Sequence, residues 1–155
     1  MTPYPLEPAE AKGPMRLVVS AFPSEAAADR AVEAVLGARL AACAQATPVK
    51  SRYWWKGKVR SDDEVVVVFK TVPKRVGALF RLLGARHPYE VPEVIEIDVP
   101  RVHDPYLAYL ATTLDSKSPP PPPGAGRGAA MPRGARRARA ARRPARTRAR
   151  RPRRY

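Results

Sequence analysis

Tyr53-Trp54-Trp55-Lys56-Gly57-Lys58-Val59-Arg60-Ser61-Asp62-Asp63-Glu64-Val65-Val66-Val67-Val68-Phe69 is the stretch on which the reading of this chain turns. Two runs of aromatic and β-branched residues meet at a Lys-Gly-Lys tip, a pattern that predicts a long antiparallel hairpin. The acidic triplet Asp62, Asp63 and Glu64 leaves its register open. Val65 to Phe69 is continuously apolar rather than alternating, so that strand is expected at the centre of a sheet, covered on both faces by helices or another subunit. Upstream, Cys43 and Val49 flank Pro48, which marks a bulge or a sheet edge.

On either side of the hairpin the periodicity changes. Arg16-Leu-Val-Val-Ser-Ala-Phe22 reads as a buried strand bounded by Pro23. Ser24 then stands as a helix N-cap with Glu25 in the first turn, and Ala28, Ala31, Val32, Val35 and Leu36 form one helical stripe that Gly37 is placed to end. Thr71 and Pro73 mark a second helix start; Val76, Leu79, Phe80 and Leu83 are its stripe, and His87-Pro88 stops it. Ile95, Ile97 and Val99 alternate with Glu96 and Asp98, as in a half-buried strand. A short helix from about Asp104 to Leu114 presents Leu107 and Leu110. The order β-α-β-β-α-β-α predicts an α+β fold, a ferredoxin-like split β-α-β sandwich with an antiparallel sheet, an extended hairpin and an extra C-terminal helix. Tyr53, Trp54 and Trp55 point alternately to both faces of the hairpin, more aromatic surface than one small domain can cover, so they are expected at an oligomer interface.

At 155 residues the chain has room for one ordinary domain. Composition divides it into a polar leader over residues 1–14, expected disordered, a patterned domain over 15–115 and a tail over 116–155. Residues 1–115 hold 15 Lys and Arg against all 14 acids, a net charge of +1; the last forty hold 14 Lys and Arg and no acid. The strong positive charge therefore belongs to the tail. Its five prolines from Pro119 to Pro123 read as an extended spacer, and its thirteen arginines with almost no large apolar residues predict disorder. Such a tail either binds nucleic acid or an anionic surface non-specifically through counterion release, or reflects a GC-rich reading frame with no selected function.

Cys43 is the only cysteine, which excludes an intrachain disulfide and any multi-cysteine metal centre within one chain. With no secretory apolar core near the start and no run long enough to span a membrane, the expectation is a soluble cytoplasmic protein. Gly-x-Ser-x-Gly, His-Glu-x-x-His, Walker and Gly-x-Gly-x-x-Gly motifs are all missing, so the reading is non-catalytic.

Five collinear segments carry a resemblance: Ala38-Arg-Leu-Ala-Ala-Cys-Ala44, Tyr53-Trp-Trp-Lys-Gly-Lys58, Val65-Val-Val-Val-Phe-Lys-Thr71, His87-Pro-Tyr-Glu-Val-Pro-Glu93 and Tyr106-Leu-Ala-Tyr-Leu110. From Arg16 to Leu114 the chain resembles the CutA divalent-cation tolerance family. The resemblance implies a homotrimer, with hairpins reaching across to neighbouring sheets, and a role in tolerance of divalent metals, copper above all. It also implies a metal position where a first-strand cysteine meets paired histidines; here those positions read Ser20, Arg86 and His87.

His87 is thus a candidate ligand for copper or another divalent cation, or else a histidine that closes a helix. Cys43 is a candidate thiolate, or else a small buried hydrophobe. Glu90 and Glu93, with Asp62, Asp63 and Glu64, are candidates for a hard cation or for acid/base work, or else solvated charge; Pro88, Tyr89 and Pro92 are expected to shape their loop. His103 reads as a surface residue. Two other functional classes stand beside the metal reading. One is a PII-like small-ligand signalling trimer, although no phosphate-cradling glycine loop is evident. The other is a nucleic-acid-associated protein acting through the tail.

Overall fold

Lys56 and Gly57 both take positive φ, +49° and +75°, and close Trp55 onto Lys58 in a two-residue turn whose twist matches that of the strands it joins. From that tip the pairing runs without a bulge to Cys43 opposite Lys70. The turn therefore sets the register that the acidic triplet left open. In the computed structural model, which describes residues 13–117, the order is β1 (Met15–Phe22), α1 (Glu25–Gly37), β2 (Cys43–Trp55), β3 (Lys58–Thr71), α2 (Pro73–Arg86), β4 (Val94–Val99) and α3 (Asp104–Asp115). The four strands form one antiparallel sheet in the order β2-β3-β1-β4. This is the expected ferredoxin-like sandwich. Pro48 sits opposite Val65 on edge strand β2, so it marks an edge and not a bulge.

β1 pairs with β3 only from Val65 to Thr71. Val49–Trp55 and Lys58–Glu64 therefore continue past the body of the sheet as a two-stranded ribbon. Towards the helices, Val18 and Phe22 of β1 and Val65, Val67 and Phe69 of β3 are buried against Ala28 and Val35 of α1 and Val76, Leu79 and Leu83 of α2. Ser24 caps α1 as expected, its Oγ accepting from the Ala27 N–H at 3.2 Å. The helix ends at Gly37, as expected, with Ala38 as its cap. Leu40 N–H donates to Val35 C=O and Arg39 N–H to Leu36 C=O, each at 3.0 Å, and the left-handed residue between cap and loop is Arg39 (φ +53°). An arginine is useful there because its Nη1 donates to the Thr113 carbonyl at 2.7 Å, in the last turn of α3. Thr71 does not begin α2. It is buried at the end of β3, with Oγ1 donating to the Leu40 carbonyl at 2.6 Å, and Pro73 opens the helix.

The face of the sheet away from α1 and α2 departs from expectation. Val66 and Val68 are only half-buried, so within one chain β3 is fully covered on one face alone. β4 has the predicted alternation but the opposite orientation: Ile95 and Ile97 face outward and are 45% and 44% exposed. The cause is Arg16, whose side chain has no exposed surface. Its Nε pairs with Glu96 Oε1 at 2.9 Å and its Nη1 with Asp98 Oδ1 at 2.6 Å, so the carboxylates of β4 must turn inward.

Gly13 and Pro14, assigned from sequence to the leader, lie among the described residues. Gly13 is buried, its N–H donating to Asp98 Oδ1 at 3.0 Å, and a Cβ there would run into the Val99 carbonyl. The rest of the leader, residues 1–12, and the tail beyond Lys117 lie outside the described residues. Among those described, no helix is long and apolar enough to cross a membrane.

Candidate functional site

Alternation along the ribbon places Tyr53 and Trp55 of β2 on the same face as Arg60, Asp62 and Glu64 of β3, because residues directly opposite in a ladder share a face. Across from that face runs the loop between α2 and β4, with Tyr89, Glu90, Val91 and Glu93. Ribbon and loop enclose a cleft of about 710 Å³, with Ala21 of β1 at its base. Asp63 points the other way and pairs with Lys50 at 3.0 Å in solvent.

Two short phenol–carboxylate bonds tie the cleft together. Tyr53 Oη donates to Asp62 Oδ2 and Tyr89 Oη to Glu64 Oε1, each at 2.6 Å. The Tyr53 phenol is raised above its ordinary pKa, first by its hydrogen bond to Asp62. Tyr89 is raised further, by burial first and then by the bond to Glu64. Glu64 is 8% exposed, unusually covered for a carboxylate, and Tyr89 gives it the donor that such burial requires.

His87 stands behind the loop as its fastening. Nδ1 accepts the Tyr89 N–H at 3.1 Å, so the ring proton lies on Nε2, 3.2 Å from Ser20 Oγ. Ser20 Oγ in turn donates to the Glu93 carbonyl at 2.7 Å. One neutral imidazole thereby holds both ends of the loop, and burial lowers its pKa below the ordinary value. The ring also stacks on Phe22, with centroids 4.7 Å apart and planes at 22°.

The structure thus brings together Ser20, His87, Tyr89 and Glu93, and separately gathers Tyr53, Trp55, Asp62, Glu64 and Glu90 around the cleft. It does not bring Cys43 to His87. Cys43 lies opposite Lys70, which lies opposite Leu17, while Ser20 is three residues further along β1 and faces the helices; the backbone positions of Cys43 and Ser20 are roughly 14 Å apart by strand spacing and rise. Cys43 is half-buried beside Tyr106 of α3. Arg86 projects from the end of α2, and Trp54 is 75% exposed on the far face of the ribbon. His103 precedes α3 in an exposed position. Among the described residues there is no group of three or more His, Cys, Asp or Glu side chains that could hold a metal ion. Sequence reasoning missed Arg60 on the cleft face and the two tyrosine–carboxylate bonds. Reading Lys56-Gly57 as a two-residue turn would have placed Tyr53, Asp62 and Glu64 on one face.

The family described as CutA1 divalent ion tolerance protein matches residues 16–113. The divalent-cation tolerance protein CutA of Pyrococcus horikoshii is 38% identical over 96 residues, covering 62% of this chain and 94% of its own. That of Thermotoga maritima is 38% identical over 100 residues, covering 64% of this chain and 99% of its own. The solved structure of CutA from Synechococcus elongatus superposes with a TM-score of 0.64 at 30% identity, covering 67% of this chain and 93% of that one.

Proposed function

The chain belongs to the CutA1 divalent ion tolerance family, and on that premise we propose that it serves divalent-cation tolerance as a non-catalytic homotrimer that takes up copper or another divalent cation. The observation that carries this reading is the open face of the sheet. Leu17, Val19, Val66 and Val68 are half-buried there and Ile95 and Ile97 are exposed, a contiguous apolar surface across three strands. Burying each large side chain contributes about 1.5–3 kcal/mol, and copies of the same chain are the nearest source of a matching surface. Strands β2 and β4 are both edges. A closed ring of copies pairs such edges without running on into a fibre. Tyr53, Trp54 and Trp55 lie on a ribbon beyond their own sheet, which supports them as anchors on a neighbour.

The cation reading follows from the assembly. The described residues of one chain hold no three-ligand cluster, and in this reading the ligands are shared between chains. Asp62, Glu64, Glu90 and Glu93 supply hard oxygens at the cleft, which copper(II) and other divalent cations accept; His87, behind the loop with both nitrogens engaged, would add an imidazole only by giving up its bond to Ser20. The single thiol suits a reducing cytoplasm.

Light scattering combined with calorimetric copper(II) titration of the full chain tests both parts. The expected mass is that of three chains, with saturable copper at a fixed ratio to the assembly. Ile95→Asp with Ile97→Asp, or Trp54→Ala with Trp55→Ala, is expected to lower the mass and abolish copper uptake together. A monomeric parent protein would sink the trimer, and a monomeric variant binding copper as tightly as the assembly would sink shared ligation.

A further inference from the structure

On the helical side, remote from the open sheet face, α1 and the end of α2 enclose a second pocket of about 220 Å³. Its floor is apolar: Phe22, Ala27 and Ala31 on one side, Leu82 and Leu83 on the other. At its lining stand two arginines, Arg30 from α1 and Arg86 from the last position of α2. Arg16, Arg39 and Arg75 all have hydrogen-bond or ion-pair partners, whereas Arg30 and Arg86 have none among the described residues. His87 closes one wall. Both of its nitrogens are engaged elsewhere, so it offers the pocket a flat ring and no hydrogen bond.

We propose that this pocket binds a small organic carboxylate, with Arg30 and Arg86 clamping the oxyanion and a compact ring or branched chain filling the floor. Guanidinium groups pair with carboxylates in charge-assisted, often bidentate geometry. An apolar cavity of about 150 Å³ holds benzene, so 220 Å³ holds a body of that size with its carboxylate directed to the arginines. Inorganic phosphate would satisfy the arginines and leave the floor empty; an uncharged ring would do the reverse. The carboxyl end of α2 opposes an anion with about half a unit charge, which two full positive charges outweigh. Glu33 lies one turn from Arg30 on α1 and does not line the pocket. Because the pocket is on the helical layer, the proposal stands independently of the trimer.

The probe is 4-fluorobenzoate added to the full chain, followed by ¹⁹F line shape and by methyl shifts at Ala31, Leu82 and Leu83, a readout that the arginine-rich tail does not disturb. Saturable methyl shifts are expected, with Arg30→Gln and Arg86→Gln each weakening binding about tenfold. Ala31→Leu fills the floor without touching either arginine and is expected to abolish binding. Phosphate at the same concentration should leave these methyls unmoved. Shifts that never saturate, or an affinity unchanged in both arginine variants, would overturn the proposal.

Discussion

Arg16 holds a full positive charge at a side chain with no exposed surface, and it is kept there by Glu96, Asp98 and the carbonyls of Gly13 and Met15. Arg16→Met removes the cation and leaves two carboxylates facing an apolar replacement. The expected loss is roughly 3 kcal/mol, read as a lower urea midpoint with an unchanged slope. His87 contributes in a different way, because its folded pKa lies below the ordinary value of 6.5 and its unfolded pKa does not. At pH values between the two the unfolded chain binds more protons, so this contribution is complete above about pH 6.5 and is lost as pH falls through the folded value. His87→Phe keeps a ring against Phe22 and removes the titration. Its stability is expected to vary less between pH 7 and pH 5 than that of the parent, as measured by chemical denaturation at each pH. Neither role is visible in the composition. A histidine before a proline at a helix end reads as a terminator, and it is one, but the loop it fastens is reached through Ser20, 67 residues away.

Elements show where local rules were sufficient and where they were overruled. The helices were legible because their apolar stripes recur at 3.6-residue spacing and Ser24 caps through a contact three residues away. The hairpin was legible because Lys56-Gly57 can adopt two successive positive φ values. Gly57→Ala is expected to cost about 1 kcal/mol at φ +75° and to lower the thermal midpoint without changing the helical signal in far-ultraviolet circular dichroism. β4 was only half legible. Alternation identified a strand, but which side is inside depends on whether the facing strand offers an apolar surface or a buried cation, and here Arg16 decides.

For the whole molecule, charge and apolar surface are separated along the chain. Residues 1–115 are almost neutral and carry the sheet with its open face, while the last forty residues carry a net +14. Deleting residues 116–155 is expected to abolish retention on heparin at low salt while leaving the mass by light scattering at the same number of chains. Retention that persisted would transfer the electrostatic attraction to the folded domain. The candidate cleft was legible as a set of residue types, Tyr53, Trp55, Tyr89, Glu90 and Glu93, but not as an enclosure. Its two walls come from segments far apart in the chain, and it is the pairing of β1 with both β3 and β4 that brings Glu64 to Tyr89.

The sequence alone determined the order of elements, the sites of the turns, the family and the charge division between domain and tail, because each of these rests on near neighbours or on composition. The tertiary structure decided the outward face of β4, the burial of Arg16 and Glu64, the fastening of the loop by His87 and the separation of Cys43 from it. Those are contacts between residues far apart in the chain. Their outcome is set by competition for one interior, in which a buried charge and its partners outrank the preference of an isolated strand.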